Sequence, residues 1–310
     1  LGFIEKKLVA FRSLFADEII LGTEHIHFGW CSGNWVHPGF RRKGFSEKLL
    51  KEAFNDWNGK LMFTNYAGES ENLYLKTGWF FPIHQFEGVR AYLFPKTRKL
   101  IPMSDKNGFY RFVFSLIDFF IAIISSVRLL FYFPKDKHEI RFEMLEYPDE
   151  QCYQFIENKT QDFLFNRNKA ELKWIFSFPW ISKTDRSFLA KYPFSSFSEN
   201  FYYRTVKIFQ NNTFAGFFII SVRDGLLKTL YFLVEGSYEN EIATFLKKYC
   251  KTNKIERITI YNSQVANQII KRKFPFLQAK KFGQKIYSTF GVESFHTKSF
   301  QDGDGDLFFT

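Results

Sequence analysis

Residues 34–50 combine a strand, a glycine-containing basic loop and a helix in direct succession, and this segment constrains the fold more than any other part of the chain. Residues 34–37 are extended in character, the loop holds Gly39 and Gly44, and a helical apolar period begins at Ser46. The helix places four apolar side chains on one face: Leu49, Leu50, Ala53 and Phe54. A strand that leads through a glycine loop into a helix predicts an α/β unit.

The same loop has the features of an anion site. Its backbone N–H groups and the positive end of the following helix would converge on one point, which predicts pyrophosphate binding. Gly44 has no side chain to hold a phosphate away from these amides, and Arg41, Arg42 and Lys43 add positive charge. Pro-Gly followed by basic residues is also typical of a solvated turn, so the spacing alone leaves both interpretations open.

The order strand-strand-strand-helix-strand-helix-strand occurs twice in the predicted elements. The first set comprises strands 8–15, 18–28 and 30–37, helix 46–54, strand 61–64, helix 70–77 and strand 89–94, with turns at Ala16-Asp17 and Phe28-Gly29. The second set comprises strands 202–209, 213–223 and 227–234, helix 239–249, strand 255–261, helix 264–271 and strand 285–289. This repeat predicts an α/β (α+β) fold of two units, each a mixed, mostly antiparallel sheet flanked by helices.

The predicted boundaries are 1–95 for the first unit, 96–138 for a linker with an apolar helix, and 139–310 for the second unit. The apolar segment 112–127 contains Asp118 and is shorter than the roughly 20 residues that a spanning helix needs. It therefore favours a buried or interdomain helix. Peripheral contact with a membrane surface is the alternative, and a true span is the least favoured.

The net charge is compatible with several classes of anionic partner. The net charge is +11, which is compatible with nucleic acid, an anionic membrane surface or a phosphorylated cofactor. The basic residues are scattered apart from 41–43 and 271–273, which argues against a dedicated nucleic-acid site. The sequence does not specify an oligomeric state.

Neither a metal site nor a disulfide framework is predicted. Cys31, Cys152 and Cys250 form no Cys-x-x-Cys pair, which is typical of a reducing cytoplasm. Residues 302–306 imitate the start of a calcium loop, but Leu307 stands where that loop needs glycine, so a solvated acidic end is expected. Because the first residues lack both a signal peptide and an initiator Met, a fragment of a cytoplasmic protein is expected.

Two motifs resemble the GNAT (GCN5-related N-acetyltransferase) family. Val-His-Pro at 36–38, followed by Arg-Arg-Lys-Gly-Phe-Ser at 41–46, is similar to the family's Val-x-Pro and Arg/Gln-x-x-Gly-x-Gly/Ala, with Ser46 in place of the last small residue. Leu-Tyr-Leu-Lys-Thr-Gly-Trp at 73–79 is similar to its Leu-Tyr-x-Lys-x-Gly-Phe, with Asn65 upstream. The resemblance covers about residues 8–94, and the family's first strand and helices would lie before Leu1.

The resemblance implies binding of acyl-CoA, most simply acetyl-CoA, as a co-substrate without a metal. Acyl-CoA would lie between the strand that ends at His37 and the strand 61–65, with the pantetheine on backbone groups of 35–37 and the pyrophosphate on amides of 41–46. The implied cofactor-binding residues are Trp35, Val36, His37, Arg41, Arg42, Lys43, Gly44, Phe45, Ser46 and Asn65.

The resemblance also assigns catalytic candidates. Tyr74 matches the family residue that protonates the departing thiolate, although a tyrosine packed on the helix face is the simpler structural alternative. Family members often place a base, or a residue that holds a water molecule, on the preceding strand, where Glu24, His25 and His27 lie. Alternation puts the two histidines on one face and Glu24, the candidate base or water-holding residue, on the other, and a solvent-facing strand position is the simpler alternative for each of the three.

The second unit carries no equivalent phosphate loop. Its strand-to-helix junction at 232–241 contains Gly236 but no basic residue, and Glu235, Glu239 and Glu241 would repel a pyrophosphate. We therefore expect a GNAT-like copy that has lost cofactor binding and shapes the acceptor site. Residues 168–179 are similar to a helix of the second copies in bacterial tandem GNAT proteins.

These patterns favour an acyl-CoA-dependent N-acetyltransferase that acts on a small-molecule amine such as an amino sugar. A tRNA-dependent aminoacyl transferase of the peptidoglycan-bridge type is one alternative. The other is a non-catalytic tandem scaffold that binds an envelope component through 112–127. The expected location is cytoplasmic. The apolar segment 112–127 also suggests association with a membrane.

Overall fold

The computed structural model describes residues 1–65, 68–97, 108–134, 139–159, 163–179, 181–182, 196–291, 295, 297–305 and 308. The chain divides into two compact units. Unit 1 comprises Leu1–Phe86, Tyr153–Ser198 and Gln284–Thr310, and unit 2 comprises Glu87–Cys152 and Glu199–Gly283. This division differs from the contiguous domains expected from the sequence, because each unit is assembled from stretches that are distant along the chain.

The described strands and helices follow the predicted order closely. The strands are β1 (Gly2–Ile4), β2 (Lys7–Leu21), β3 (Glu24–Val36), β4 (Leu61–Thr64), β5 (Phe81–Tyr92), β6 (Ile140–Leu145), β7 (Ile181–Ser182), β8 (Ser196–Phe197), β9 (Phe201–Gln210), β10 (Thr213–Arg223), β11 (Leu226–Val234), β12 (Arg257–Ile260) and β13 (Gln278–Ser288). The helices are α1 (Phe45–Asp56), α2 (Gly68–Leu75), α3 (Gly108–Leu130), α4 (Glu150–Lys159), α5 (Lys169–Ser177), α6 (Glu239–Thr252) and α7 (Ser263–Lys271). The sequence did not predict β1, β6, β7, β8 or α4, and residues 98–107 of the expected segment 96–138 lie outside the described residues.

Two long antiparallel strands, β2 and β3, form the centre of unit 1, where three shorter strands were expected. The predicted turns at Ala16-Asp17 and Phe28-Gly29 are wrong, since the ladder runs through both and the chain reverses at Gly22, whose φ is +63°. Asp17 favours turns in a sequence, but here its carboxylate is satisfied within the strand by the guanidinium of Arg167, 150 residues away.

The sheet of unit 1 continues from β3 to a parallel neighbour, β4. Gly29 pairs with Leu61 and Trp30 with Met62, and β3 then runs on to Val36. On the far side of β4, the end of β13 pairs antiparallel with it, at Ile286 opposite Thr64. The sheet is therefore mixed, as predicted, but the strand beyond β4 is β13 and not the predicted strand 89–94.

Helix α1 packs on this sheet through the face that the sequence predicts. Leu50 and Ala53 are buried and belong to one apolar cluster. The other buried members of the cluster are Cys31, Leu61, Phe63, Tyr74, Phe80 and Tyr287. Removal of this much apolar surface from water, at about 1.5–3 kcal/mol for each large side chain, holds α1 against β3 and β4.

Unit 2 contains the predicted meander of β9, β10 and β11. Asn211 and Asn212 turn the first connection and Asp224-Gly225 the second, all with positive φ. Strand β12 lies parallel to β11, the second half of β5 pairs antiparallel with β12, and β6 lies beside β9. Helices α6 and α7 contribute buried side chains to the core of this unit.

Helix α3 belongs to unit 2 and is not the buried helix that the sequence favoured. Only 11% of its Phe112–Leu130 segment is buried, and the segment is long and apolar enough to cross a membrane by length and composition. The prediction was wrong because the pattern is apolar on almost every side, while only one face of the helix meets the rest of unit 2.

Two further segments lie in unexpected surroundings within unit 1. Helix α5, which resembles a helix of second GNAT copies, belongs to unit 1 and begins with a capping box between Asn168 and Glu171. The acidic tail is not solvated: Asp302 and Asp304 are both buried. Asp304 accepts a hydrogen bond from the backbone N–H of Gln301 and lies 4.0 Å from Arg167, and these two groups offset part of its burial.

Candidate functional site

A cavity of about 590 Å³ lies at the junction between β3 and α1. Seven of the ten predicted cofactor-binding residues line it, which are Trp35, Val36, Arg41, Arg42, Gly44, Phe45 and Ser46. Asn34, Phe40, Glu47, Ser70 and Leu73 complete the lining. The structure therefore brings most of the predicted loop together around one concave space.

The backbone of the loop turns the first amides of α1 into this cavity. A short 3-10 turn at Pro38–Phe40 follows β3, and Gly44 then adopts a φ of +78° as the N-cap. Gly44 supplies no capping side chain, and the helix hydrogen bonds begin at the N–H of Lys48. The N–H groups of the first turn are thus open to a ligand, and the helix end carries the equivalent of about half a positive charge.

The side chains give the cavity a positive balance. Arg41 and Arg42 line it, and Arg41 also donates from Nε to the carbonyl oxygen of Val36 at 3.3 Å. Glu47 is the acidic residue in the described lining. Lys43 does not line the cavity, and its ammonium lies 5.0 Å from the centre of the Phe40 ring. Two guanidiniums and a helix N-terminus suit a phosphorylated ligand.

Two other predicted cofactor residues hold the scaffold instead. His37 accepts the N–H of Gly39 at Nδ1, at 3.2 Å, and so closes the turn after β3. Asn65 accepts the N–H of Lys285 at 2.6 Å and donates to Glu71 at 3.3 Å, which ties β4 to β13 and α2. Direct contact of either side chain with a cofactor stays a prediction.

A β-bulge in β3 lies beside the cavity. Arg12 pairs with Asn34 and Leu14 with Cys31, so two residues of β3, Ser32 and Gly33, stand opposite Ser13 alone. The N–H of Gly33 donates to the hydroxyl of Ser13 at 2.8 Å. A Cβ on Gly33 would lie 2.5 Å from that oxygen, so any other residue there would force the Ser13 side chain to move and would disturb this hydrogen bond.

Tyr74, the predicted general acid, is 97% buried and hydrogen-bonded to a residue that the sequence analysis missed. Nη1 of Arg12 donates to the phenolic oxygen at 2.9 Å. The Tyr74 ring packs on Phe63 with centroids 4.3 Å apart. Arg12 is itself buried, and among the described residues its Nε and Nη2 have no acceptor. The only sequence signal was a lone arginine in the apolar stretch 8–15.

The predicted base is remote from this cavity. Glu24 is exposed at the first position of β3, ten residues before Asn34, which amounts to about 33 Å of extended strand. His25 and His27 share a face, as expected, and both approach Glu18, at 3.1 and 3.8 Å. The structure therefore groups the histidines with Glu18 and does not bring Glu24 to the β3–α1 cavity.

A second cavity in unit 1, of about 490 Å³, lies next to this acidic region. Its lining includes Glu18, His27, Trp57, Trp174 and Glu171. Nearby, Arg167 makes a bidentate pair with Asp17, with both N–O distances at 2.8 Å. Burial raises the pKa of Glu171, although Arg167 opposes this shift.

The cavity at the corresponding strand-to-helix junction of unit 2 is smaller, and no basic residue is among its described lining. A cavity of about 130 Å³ is lined there by Phe232, Val234, Gly236, Tyr238, Glu239, Ile242, Asn262, Gln264 and Val265. The ring of Tyr238 occupies the space beside Gly236, where a Cβ would lie 2.9 Å from it. Within the described lining, this junction does not reproduce the cationic loop of unit 1.

Comparisons with known proteins establish the fold but not a family. No family model and no curated protein match the sequence. Two structures of Saccharomyces cerevisiae N-myristoyltransferase with bound myristoyl-CoA align with TM-scores of 0.50 and 0.52, at 10% and 11% identity. They cover 93% and 97% of this chain, which covers 68% of each yeast chain.

A GCN5-related N-acetyltransferase from Anabaena variabilis ATCC 29413 aligns with a TM-score of 0.47 at 10% identity, over 92% of this chain and 60% of its own. This chain thus spans less than two thirds of the length of the Anabaena protein. The GNAT-like fold that the motifs predicted is confirmed, as a structural similarity at low sequence identity.

Proposed function

We propose that this chain is an acyl-CoA-dependent N-acyltransferase whose CoA binds in the β3–α1 cavity. One observation carries the proposal: the open amides at the start of α1 and the side chains of Arg41 and Arg42 line the same concave space. A pyrophosphate matches this combination of backbone donors and fixed positive charge. The yeast N-myristoyltransferase, which was solved with myristoyl-CoA, shares the fold and supports the choice of ligand.

The position of the β-bulge suggests the path that the pantetheine and the acyl group of CoA take along β3. The pantetheine would follow the edge of β3 from Val36 to Asn34, where backbone groups line the cavity. The acyl carbonyl would then approach the bulge at Ser32 and Gly33. Beyond it, Cys31, Phe63 and Phe80 are packed in the apolar cluster, so we propose a short acyl group, with acetyl-CoA as the donor.

The reaction is direct attack of an amine on the thioester. The amine nitrogen forms a bond to the acyl carbon, the C–S bond breaks, and the nitrogen loses a proton to a base that we leave unassigned. Tyr74 gives its phenolic proton to the departing thiolate, and Arg12 stabilises the phenolate that remains. The protein contributes mainly alignment of the two reactants and this proton transfer. The proposed acceptor is a small-molecule amine, and amino sugars are the first class to test.

Isothermal titration calorimetry tests the donor site. We expect acetyl-CoA to bind the wild-type chain, and Arg41→Glu/Arg42→Glu to weaken binding by at least about tenfold, because two contacts to phosphate become repulsive. Lys43→Glu is the control for Arg41→Glu and Arg42→Glu made singly, since each reverses one charge in the same loop but Lys43 does not line the cavity. Equal losses in Lys43→Glu and in the single arginine variants would indicate long-range attraction and not a built site.

The alternative of a tRNA-dependent aminoacyl transferase is tested in the same way. Binding of bulk tRNA by a chain that does not bind acetyl-CoA would overturn the proposal. A panel of amines with acetyl-CoA, followed by release of free thiol, then identifies the acceptor class. Acetyl-CoA binding without turnover of any amine would leave the donor site in place and contradict catalysis.

A further inference from the structure

Three polar side chains of helix α3 make hydrogen bonds to the rest of unit 2. Asp118 accepts hydrogen bonds from the N–H and the hydroxyl of Thr97, at 2.7 and 2.8 Å. Ser125 donates to the carbonyl oxygen of Leu93. Arg128 donates to the carbonyl oxygens of Pro275 and Phe276, at 3.0 and 3.1 Å. The spacing of 118, 125 and 128 places these groups on one face of the helix.

The opposite side of α3 is apolar and exposed, and we call it the apolar face. Five of its side chains, and Phe131 directly after the helix, are between 46% and 71% exposed: Phe112, Phe119, Phe120, Ile124, Val127 and Phe131. Between residues 112 and 127 the sequence contains one charged residue, Asp118, and that residue points inwards. The apolar face therefore presents no charge over more than four helical turns.

This arrangement inverts the polarity of a helix that faces water. A surface helix of a water-soluble domain buries its apolar stripe and exposes its charges. In α3, Asp118, Ser125 and Arg128 are hydrogen-bonded within unit 2 while large aromatic and aliphatic side chains are exposed, so the arrangement matches an apolar surrounding medium. A contiguous exposed apolar patch rimmed by polar residues marks a contact surface.

The width of the apolar face favours lipid over a protein helix. At 100° per residue, exposed side chains from Phe119 through Phe120 to Ile117 span an arc of about 160°. A packed helix partner covers a stripe of about 100°. Acyl chains cover an exposed face of any width, since they adapt to the surface that they contact.

A basic cluster lies near the C-terminal end of helix α3. Residues 271–273 are Lys-Arg-Lys and are all exposed. They lead directly into Phe274, whose ring contacts Tyr132, with centroids 6.0 Å apart, and lies 4.9 Å from the guanidinium carbon of Arg128. Positive charge beside an apolar surface is the combination that attracts a protein to anionic headgroups.

We propose that α3 docks unit 2 on an anionic lipid bilayer, with the helix in the plane of the membrane and its apolar face inserted between the headgroups. The in-plane orientation follows because Asp118, Ser125 and Arg128 bind unit 2 at intervals along the helix. A spanning orientation would break these hydrogen bonds and place two charges in hydrocarbon. This inference does not depend on the proposed acyltransfer.

Flotation with vesicles tests the docking. The full chain should float with vesicles of phosphatidylcholine and phosphatidylglycerol at 7:3, and Phe119→Ser/Phe120→Ser should lower the bound fraction by at least about tenfold. The control is Phe3→Ser/Phe178→Ser, which removes two equally exposed phenylalanines from unit 1. Lys271→Glu/Lys273→Glu should remove the preference for anionic vesicles.

Equal loss in the control, or no flotation of a wild-type chain with a native circular dichroism spectrum, would overturn the proposal. So would lipid-independent self-association that Phe119→Ser/Phe120→Ser abolishes, because the apolar face would then bind a second copy of the chain.

A depth measurement tests the orientation. Cys31, Cys152 and Cys250 are buried, so a thiol-reactive fluorophore will favour a new exposed cysteine at position 112, 120 or 131. Quenching by spin-labelled lipids should place all three probes at the same shallow depth. A probe at 120 that lies deep while those at 112 and 131 lie shallow would indicate a spanning helix and contradict the in-plane proposal.

Discussion

Arg12 donates a hydrogen bond from Nη1 to the phenolic oxygen of Tyr74 across a distance of 2.9 Å, and both side chains are buried. The two residues lie 62 positions apart, on β2 and α2. A guanidinium that donates to a phenolic oxygen is placed to stabilise a phenolate there, which is the role that we propose for Arg12. Two further nitrogens of Arg12, Nε and Nη2, have no acceptor among the described residues.

Substitution of Tyr74 tests the proposed general acid. We expect Tyr74→Phe to lower kcat about 100-fold with little change in the Kd for acetyl-CoA, because proton transfer to the thiolate is lost while the phosphate contacts remain. Tyr287→Phe is the control. Tyr287 stacks on the same Phe63 ring and donates to Glu71 at 2.8 Å. An equal fall in kcat in both variants would assign Tyr74 a packing role only.

Substitution of Arg12 tests its positioning role. Arg12→Lys keeps the charge and should retain more activity than Arg12→Met, which removes both the charge and the hydrogen bond to Tyr74. The pH dependence of kcat gives a readout that packing alone would not move. Its alkaline limb should shift upwards in Arg12→Met, since the phenolate loses its cation. An unchanged pH profile would contradict the role.

A single and a double variant test the close approach of Gly33 to Ser13 at the β-bulge. Gly33→Ala should lower stability by about 1–3 kcal/mol and reduce turnover, because the new methyl group meets the Ser13 hydroxyl at 2.5 Å. Gly33→Ala/Ser13→Gly should recover much of the stability, since the obstructing side chain is gone. Chemical denaturation and initial rates measure both effects. No recovery in the double variant would show that the strain comes from elsewhere.

Gly44 and Gly78 form a matched pair for testing the loop. Both have positive φ, at +78° and +71°, and neither would bring a Cβ within 4 Å of a described atom. Alanine at either position should cost about 1 kcal/mol of stability. Only Gly44→Ala should weaken acetyl-CoA binding, because only Gly44 lines the cavity. Calorimetry that shows equal weakening in Gly78→Ala would contradict the assigned site.

Asp304 predicts a pH-dependent stability. Burial raises the pKa of Asp304 from 3.8 to about 7, although Arg167 opposes the shift. The folded protein therefore holds a proton that the unfolded chain releases near pH 4, so the free energy of unfolding falls as pH rises from about 4 to about 7. Asp304→Asn should remove this fall. The difference in free energy of unfolding between wild type and Asp304→Asn should therefore change by at least about 1 kcal/mol between pH 4 and pH 7.

Subtracting the free energy of unfolding of Asp304→Asn from that of wild type removes the contributions of the other titrating groups. Burial lowers the pKa of His84 to about 4, which adds stability as pH rises through an overlapping window. His84 contributes equally to wild type and to Asp304→Asn, so its effect cancels in the difference. A difference that stays constant from pH 4 to pH 7 would refute the assignment to Asp304.

Local features of this protein were determined by its sequence. The periodicity of 46–54 located α1 and the two side chains that it buries, and the short apolar run 61–64 matches β4 at both ends. The glycines of the loop, with Arg41 and Arg42, located the β3–α1 cavity. These features depend on residues that are neighbours in the chain, so backbone preference and side-chain spacing are sufficient to predict them.

Tertiary structure decided the features that join distant residues. Asp17 remains in a strand because Arg167 satisfies its carboxylate, and Arg12 meets Tyr74 because β2 and α2 pack on one core. The pairing of Ile286 with Thr64 sets the edge of unit 1. For α3, the composition is apolar on almost every side, so only the contacts of Asp118, Ser125 and Arg128 determine which face is exposed. A pattern along one chain records what each residue prefers, but the partner that satisfies it is fixed by packing.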